Sequence, residues 1–324
     1  MAKDLEYYLA QARRIAKHRE AGAERIIRKI YKHMLKELQT FISEAYVKYA
    51  EDDKLTFAML QRAGYKARFL EEIEQRINVA TRKEAKELQA LVEETYRIAY
   101  EGMVDGVLKS SDALEEVFAE SVAITPEQIK NVVSNPVMEI ALEKNHKDII
   151  YDIKQSVAVG LMNGDRYTTM AHRITTLLNA DKGAYKRAVR IARTEAHRVR
   201  EAGNHDAALE VDNELQKGTT GMRMVKVWKT MQDERVRPQR RRKGKKGWST
   251  TMGKGPNHMV LNEQTVLENE PFDLGYHKGK KVKAMMPGSS GVAGHDINCR
   301  CYASREMMTD EEYYNKTGKH FPEV

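Results

Sequence analysis

The sequence predicts a mainly α-helical protein, in which long N-terminal helices are followed by a smaller C-terminal α+β domain with a short antiparallel sheet. Apolar residues recur at helical spacing through most of the first 217 residues, and charged residues occupy the opposite faces. From residue 222 this pattern gives way to alternation with a period of two, which is typical of strands. Glycine and proline then interrupt the chain at short intervals, as expected between short strands.

The N-terminal third predicts three long helices. An apolar stripe over residues 5–49 predicts the first helix, which Gly22 is expected to break or bend. A second helix is predicted over residues 55–78. Thr81 followed by Glu84 has the form of a capping box, so a third helix is expected to begin there. Long helices with one densely charged face are typical of a self-contained bundle or of an arm that docks on a partner.

Shorter helices are predicted in the middle of the chain. Residues 125–128, with the sequence Thr-Pro-Glu-Gln, have the features of a helix N-terminus. Residues 148–162 carry an apolar face, and the Asn-Gly-Asp sequence at 163–165 is expected to end that helix. Two further helices are predicted, one near residues 168–178 and a long one over residues 184–215.

The C-terminal part predicts short strands joined by loops. Residues 222–231 alternate in polarity and predict a first strand. Residues 258–267 are expected to form a strand, a turn and a second strand. A last short strand is predicted over residues 296–303, and a short helix with a tail is expected from residue 309.

Glu195 is an unusual residue in the long helix that precedes the strands. The buried seam of that helix is predicted at Ala188, Ala192, Glu195, Val199 and Ala202, which are spaced four and three residues apart. A carboxylate in such a seam is costly unless a cation or a donor meets it. We therefore expect Glu195 to pair with Arg235 or Arg237 and to clamp the helical part to the basic part.

Positive charge is concentrated in one segment of the chain. The net charge is +8, and residues 217–247 contain twelve lysine and arginine residues against two acids. Such a run predicts phosphate contact with nucleic acid and no sequence preference, with Trp248 beside it to stack on a base or sugar. The alternative is a solvated charge run without a ligand. The residues predicted to bind DNA are Arg237, Arg240, Arg241, Arg242, Lys243, Lys245 and Lys246.

Both cysteines of the chain lie in one Cys-x-Cys motif. Cys299 and Cys301 are too few for a disulfide framework, which favours a reducing compartment. On a strand the two side chains would share a face, and with His258 and His295 they could make a zinc site. The alternative is a pair of small apolar side chains that close a core. A Cys-x-Cys motif without a second pair of cysteines is a weak metal signal, so the prediction is that the protein has no cofactor.

No set of residues predicts catalysis. The acidic, histidine and cysteine side chains that could be combined into a site are Glu195, Asp233, Glu263, His258 and Cys299. Two carboxylates with a metal would suit phosphodiester cleavage, and a cysteine with a histidine would suit nucleophilic chemistry. Neither combination has a spacing that requires catalysis. The prediction is therefore a protein that is not an enzyme, with a nuclease as the alternative.

The sequence predicts neither export nor membrane insertion. Residues 1–15 contain no apolar run of the kind found in a signal peptide. No stretch elsewhere approaches the apolar length that a membrane span needs. We therefore expect no membrane partner.

Taken in order, several motifs resemble one known family. They are Ala192–Arg193–Thr194–Glu195 on a helix, Trp228, Asp233-x-Arg235-x-Arg237, His258, Pro271–Phe272, Pro287–Gly288 and Ile297–Asn298–Cys299–Arg300–Cys301. Their combination resembles the phage minor head proteins, also called head-morphogenesis or MuF-like proteins, over roughly residues 148–304. The resemblance implies that Arg193, Glu195, Trp228, Asp233, Arg235, Arg237, Cys299 and Cys301 form the structural motif of the domain.

The resemblance also implies a domain division and a place in the virion. The expected division is a helical arm or bundle at 1–147, a MuF-like domain at 148–305 with helices at 148–216 and an α+β part at 217–305, and a tail at 306–324. The implied partners are the portal protein and double-stranded DNA, with scaffold or major capsid protein as further candidates. Several copies per virion are expected inside the capsid at the portal vertex, after assembly in the host cytoplasm. A nucleic-acid-binding protein of the host cytoplasm, unrelated to a virion, is a third hypothesis.

The chain departs from the family pattern in three places. Val236 stands where the family often has threonine, and Arg240 stands where it often has histidine. Glu263 stands where glycine is often found. If the missing histidine were catalytic or a metal ligand in relatives, this chain would lack it. Some relatives occur in phage-encoded toxins with separate effector domains, and no such domain is expected here because little follows Ser304.

Overall fold

The computed structural model describes residues 4–110, 123–179, 183–218, 220–231 and 256–322. The chain divides into two compact units, each assembled from segments that lie apart in the sequence. Unit 1 comprises Met1–Glu20, Val92–Val133 and Arg193–Val324, and unit 2 comprises Ala21–Leu91 and Ser134–Ala192. The boundaries of these units do not coincide with the domain division expected at residue 148. That division concerns the extent of the sequence motifs, and it remains a prediction.

The described residues form a mainly helical protein with a small antiparallel sheet, as predicted. The helices are α1 (Leu5–Tyr49), α2 (Phe57–Arg62), α3 (Lys66–Ser110), α4 (Pro126–Val133), α5 (Pro136–Asn163), α6 (Tyr167–Asn179), α7 (Ala184–Lys217), α8 (Ala293–Asp296) and α9 (Asp310–Thr317). The strands are β1 (Met222–Lys229), β2 (Thr265–Leu267), β3 (Phe272–His277), β4 (Lys280–Ala284) and β5 (Tyr302–Thr309).

The expectation that Gly22 breaks the first helix is wrong. Helix α1 continues through Gly22 for 45 residues. A glycine inside a helix costs about 1 kcal/mol relative to alanine. The fully buried side chains of Ala23 and Ile27 on the following turns show that packing, rather than local propensity, decides the outcome here.

The capping box predicted at Thr81 and Glu84 is also wrong. Helix α3 runs without interruption from Lys66 to Ser110. The Thr81 hydroxyl donates to the carbonyl of Ile77 at 3.1 Å, which is the usual alternative for a threonine inside a helix. Glu84 is buried and accepts a hydrogen bond from the Tyr31 hydroxyl at 2.7 Å, and burial raises the pKa of its carboxyl group to about 7. The acidic side chain that seemed to cap a helix is therefore part of a buried polar contact.

Local signals elsewhere in the helices are confirmed, although one boundary moves. The backbone N–H of Gln128 donates to the Thr125 hydroxyl at 3.2 Å, as predicted for the start of α4. Helix α5 starts twelve residues before the predicted position because Asn135 caps it, accepting from the backbone N–H of Val137 at 3.1 Å. Gly164 ends the helix in the left-handed conformation, with φ of 64°.

The first strand lies at the centre of a three-stranded antiparallel sheet with the order β2-β1-β5. Strand β1 pairs with β5 along its whole length, from Met222 opposite Thr309 to Lys229 opposite Tyr302. Its six central residues are all buried, so both faces of the strand are covered. Each face therefore combines apolar side chains with one buried cation, Arg223 on one face and Lys226 on the other.

Three details of the strand prediction are wrong. The first half of the region 258–267 forms a 3₁₀ turn at Met259–Leu261, and only Thr265–Leu267 is a strand. The last strand starts at Tyr302, after the cysteines, because residues 293–296 form the short helix α8. The β3–β4 hairpin was not predicted, since β4 has only two apolar residues, Val282 and Ala284, among three exposed lysines. The terminal helix α9 is confirmed, and Thr309 and Glu312 form its capping box.

None of the helices in the described parts of the chain combines the length and the apolar character needed to cross a membrane.

Candidate functional site

One face of helix α7 carries charged side chains that meet the sheet of unit 1. These residues are Glu201, His205 and Asp212, which lie four and seven residues apart and therefore on the same side of the helix. All three are buried. This face contains the polar contacts that hold the described part of the α+β region against the helix.

Glu201 binds the start of strand β5. Its side chain is fully buried, and its Oε2 accepts a hydrogen bond from the backbone N–H of Ala303 at 3.1 Å. Its other oxygen accepts from Arg200 at 3.3 Å, and Arg200 also donates to Nδ1 of His197 at 2.8 Å. Glu201 is thus compensated by a cation and by a backbone donor, as a buried carboxylate requires.

Glu268 is the centre of a second buried network. Its Oε1 accepts from Nδ1 of His205 at 2.6 Å and from the Arg305 guanidinium at 3.2 Å. Burial alone would raise the pKa of Glu268, but Arg305, His205 and Lys226 bring it below its usual value. Burial lowers the pKa of Lys226 to about 8, and its ammonium group donates to the carbonyls of Glu268 and Met285 at 2.7 Å each. The four side chains join α7, β1 and β5 with the turn after β2.

Asp212 binds the beginning of β1. It accepts from the Arg223 guanidinium at 2.8 Å and from the backbone N–H of Met224 at 2.7 Å. The geometry is that of a bidentate arginine–carboxylate pair with an additional backbone donor. Sequence reasoning missed Glu201, His205 and Asp212, although their common spacing on one helical face was a signal that could have identified them.

Glu195 is buried, as predicted, but its expected partners lie outside the described residues. Arg198, three residues further along α7, donates from Nε to Glu195 at 2.9 Å. Arg193 lies on the exposed side of the same helix. Asp233, Arg235 and Arg237 fall in the segment 232–255, which the structure does not describe. The clamp between Glu195 and Arg235 or Arg237 therefore remains a prediction.

The DNA-binding residues fall in the same undescribed segment. They are Arg237, Arg240, Arg241, Arg242, Lys243, Lys245 and Lys246, and Trp248 lies there as well. The structure does show what happens to basic residues just before the segment. Arg223 and Lys226 are buried, and Lys229 pairs with Glu263 at 2.7 Å. These three cations contribute to the high local charge in the sequence. Arg223 and Lys226 nevertheless lie in the interior, and Lys229 takes part in a surface ion pair.

His258, Cys299 and Cys301 form a buried cluster. Nδ1 of His258 lies 3.7 Å from Sγ of Cys299 and 3.5 Å from Sγ of Cys301. Both cysteines are free thiols, and they flank the exposed Arg300. Although they precede β5 rather than lie in it, they point inward together as predicted. A hydrogen bond from Cys301, with His197 and His258 close by, lowers the pKa of the Cys299 thiol well below its usual range despite its burial.

Aromatic rings surround this cluster. Nε2 of His258 lies 3.1 Å from Nδ1 of His295, and the two rings stack. The Trp228 indole meets the His258 ring edge to face at 5.6 Å and the Phe272 ring in the same manner at 5.1 Å. Trp228 therefore lies in the core of the α+β region, beside the histidine and the cysteines.

The residues considered for catalysis do not form one described site. His258 and Cys299 are neighbours, but both are buried, whereas a nucleophilic cysteine has to be accessible to its substrate. Glu263 lies at the surface, in a turn where its φ is 69°, and binds Lys229. Glu195 is bound to Arg198 on α7, and Asp233 is outside the described residues. What the cluster can do chemically is bind a soft or borderline metal ion or hold a thiolate.

Comparisons with known proteins gave one family and two relatives. Residues 151–304 match the family described as Phage Mu protein F like protein. The chain is 26% identical over 286 residues to minor head protein GP7 of Bacillus phage SPP1, an alignment that covers 86% of this chain and 80% of that protein. It is 28% identical over 182 residues to NAD(+)–arginine ADP-ribosyltransferase EFV of Enterococcus faecalis, covering 55% of this chain and 31% of that protein. No solved structure matches the chain.

Proposed function

We propose, from the match of residues 151–304 to the family described as Phage Mu protein F like protein, that this chain is a minor head protein of a tailed phage. The resemblance drawn from the sequence motifs is thereby confirmed. The observation that carries the proposal is the alignment with minor head protein GP7. Because its 286 residues exceed the length of the family match, the similarity extends into the helical region outside it.

An enzymatic role receives little support. The ADP-ribosyltransferase relative shares only 31% of its length with this chain, so the activity in its name is not assigned here. This is the pattern expected where a common domain is joined to a separate effector domain. His258 and Cys299, which lie together, are both buried. Glu195 and Glu263, the two described acidic residues considered for catalysis, pair with Arg198 and Lys229.

The portal protein is the partner that we propose for the helical part. Helix α5 carries exposed apolar side chains at Val137, Ile140, Tyr151 and Met162, which are between 64% and 76% exposed. Residues three or eleven apart lie close to the same side of a helix, so these four define one interrupted stripe, in which about 16 Å separates Ile140, Tyr151 and Met162 in turn. An exposed apolar stripe of this kind is typical of a helix that docks on another protein. Scaffold and major capsid protein are the other candidates for this surface.

The portal proposal predicts that charge on the stripe removes the protein from phage particles. Tyr151→Glu with Met162→Glu should abolish or strongly reduce the amount of this chain in particles purified from the phage that encodes it, because two carboxylates would have to be desolvated at the interface. The amount is measured by mass spectrometry against the portal protein. Val47→Glu with Val79→Glu is the matched control, since those residues are exposed apolar positions outside α5.

Two results would contradict this prediction. Normal incorporation of the α5 variant would exclude the stripe as the docking surface. Absence of the unmodified protein from particles would exclude the minor head function and favour a nucleic-acid-binding protein of the host cytoplasm. Thermal unfolding of both variants serves as the check that neither substitution disrupts the fold.

Double-stranded DNA is the second partner that we propose, through the basic segment at 237–246. Six lysine and arginine residues lie between residues 240 and 246, and such a run binds phosphates by releasing counterions. DNA binding should therefore weaken steeply with salt. Changing Lys243, Lys245 and Lys246 to alanine should reduce the slope of log affinity against log salt by about 2 to 3. A gel-shift titration across a salt series measures this slope.

A matched control uses three lysines elsewhere in the chain. Lys29, Lys32 and Lys36 are exposed on α1, and changing them to alanine removes the same charge without touching the basic segment. If the slope of log affinity against log salt falls equally in both variants, DNA binding depends only on the net charge of the protein. Shortening of the DNA only when magnesium is present would support the nuclease alternative. If the protein does not shift DNA in the gel even at low salt, the basic segment would instead be expected to bind a protein partner.

A further inference from the structure

The His258, Cys299 and Cys301 cluster has the chemical composition of a zinc site. One imidazole nitrogen and two thiol sulfurs lie within 4.8 Å of one another, in a buried position. Neutral imidazole and thiolate are the two ligand types that zinc prefers in proteins. The three side chains come from two parts of the chain, 41 and 43 residues apart. A shared ion would therefore connect the residues before the 3₁₀ turn to the segment that leads into β5.

The distances within the cluster fit tetrahedral coordination. Zinc–sulfur bonds of about 2.3 Å and zinc–nitrogen bonds of about 2.0 Å place neighbouring ligand atoms roughly 3.4–3.8 Å apart in a tetrahedron. The observed separations between Nδ1 of His258 and the sulfurs of Cys299 and Cys301 are 3.7 Å and 3.5 Å. Both nitrogen–sulfur separations therefore fall within the range of a tetrahedral zinc site.

The tautomer of His258 also suits a metal ligand. Its Nε2 faces Nδ1 of His295 at 3.1 Å. When Nε2 carries the proton and donates it to His295, the lone pair of Nδ1 points towards the two sulfurs. A metal-binding histidine usually donates its second N–H to a neighbouring acceptor in this way. His295 therefore orients His258 rather than serving as a ligand, which differs from the four-residue set considered from the sequence.

His197 supports the cysteine side of the cluster. Its Nδ1 accepts a hydrogen bond from Arg200 at 2.8 Å, so its proton resides on Nε2. That nitrogen is buried without a hydrogen-bond partner that meets ordinary geometric limits among the described residues, and the ring lies next to Cys299. An N–H group close to a sulfur favours its thiolate form.

We propose that His258 Nδ1, Cys299 Sγ and Cys301 Sγ bind zinc. His295 and His197 are positioning residues, which orient the imidazole ligand and the Cys299 thiolate respectively. The ion would act as a structural link within unit 1. This inference stands apart from the portal and DNA proposals, because none of its residues belongs to the α5 stripe or to the basic segment.

The test is the metal content of the full chain. The protein is purified under reducing conditions, incubated with zinc, freed of excess metal by gel filtration and analysed by mass spectrometry for bound zinc. We expect one zinc ion per chain, and loss of that ion in Cys301→Ser. His33→Gln is the matched control, because His33 is exposed on α1 and lies outside the cluster. A chain without zinc after this treatment would overturn the proposal.

Cobalt provides a measurement that does not depend on the stability of a variant. Adding cobalt(II) to the unmodified, metal-free protein should produce the intense visible bands of tetrahedral cobalt and a sulfur-to-metal charge-transfer band. Added zinc should displace both. Absence of these bands, with both thiols reacting freely after mild unfolding, would show that the cluster is held by thiol–imidazole hydrogen bonds alone.

The positioning role of His197 is tested by metal affinity. His197→Gln should weaken zinc binding about 10- to 100-fold, as is usual when a residue that supports a metal ligand is changed. A competition titration against a coloured chelator measures the affinity. An unchanged zinc affinity would show that His197 does not support the site. If its role were purely structural, His197→Gln would lower the melting temperature of the zinc-free protein and leave the zinc affinity of the folded chain unchanged.

Discussion

Replacing Glu268 with alanine is expected to lower the free energy of unfolding by about 3–5 kcal/mol, because it leaves buried positive charge without its carboxylate. The Arg305 side chain is fully buried and has Glu268 as its anionic partner at 3.2 Å. After the substitution, the described contacts of the guanidinium reduce to the Ala303 carbonyl at 3.2 Å. His205 also loses the oxygen that lies 2.6 Å from its Nδ1. Urea denaturation followed by circular dichroism measures the change.

The control for this prediction is Glu306, the residue next to Arg305 in the sequence. Glu306 follows Arg305 in β5 and pairs with Lys316 at the surface, where both side chains are partly exposed. Glu306→Ala should cost no more than about 1 kcal/mol, the usual range for such pairs. Equal effects of the two substitutions would mean that the Glu268 network is no more important than a surface ion pair. Glu268→Gln removes the negative charge but keeps the size and shape of the side chain. It should still be clearly destabilising, because a neutral amide cannot compensate the positive charge of the buried Arg305 guanidinium.

The sequence predicted the helices well because their signal is repeated many times. Each turn of α1 or α7 contributes an apolar position, so no single residue decides the assignment. Predictions that depended on one or two residues were less reliable. Gly22 did not break α1, and Thr81 with Glu84 did not start a helix, because buried tertiary contacts outweigh a local preference of about 1 kcal/mol.

The site was predictable only where its residues form a motif. Cys299, Cys301, His258 and Trp228 were singled out from the sequence, and the structure brings them together. Glu268 was not, because it follows a three-residue strand in a polar turn and its partners are 37 and 63 residues away. Whether a charged residue such as Glu268 is buried depends on the residues that surround it in the fold. The sequence alone does not show which polar residues will be buried.

The orientation of His197 could not have been derived from the sequence either. In the pattern of α7 it is one polar residue among many. Its function follows from a hydrogen bond donated by Arg200 and from the position of Cys299, which is about a hundred residues further along the chain. The hydrogen bond lies within α7, but the position of Cys299 depends on how the segment before the last strand returns to the helix.

Trp228→Ala is expected to lower the free energy of unfolding by about 3–5 kcal/mol, the usual cost of removing a large buried aromatic side chain. Trp228 is 1% exposed and packs edge to face against both His258 and Phe272. Because it is one of only two tryptophans, unfolding should be followed by circular dichroism rather than by fluorescence.

Trp228→Phe is the matched variant that separates ring packing from the indole N–H. Within the described part of the chain, Nε1 of Trp228 has no hydrogen-bond partner, so phenylalanine loses volume but no observed hydrogen bond. It should therefore retain most of the stability that alanine loses. A phenylalanine variant as unstable as the alanine variant would contradict this prediction and show that the volume or the N–H of the indole is required. Because His258 rests on this ring, the alanine variant should also bind zinc more weakly, which links the packing of β1 to the proposed metal site.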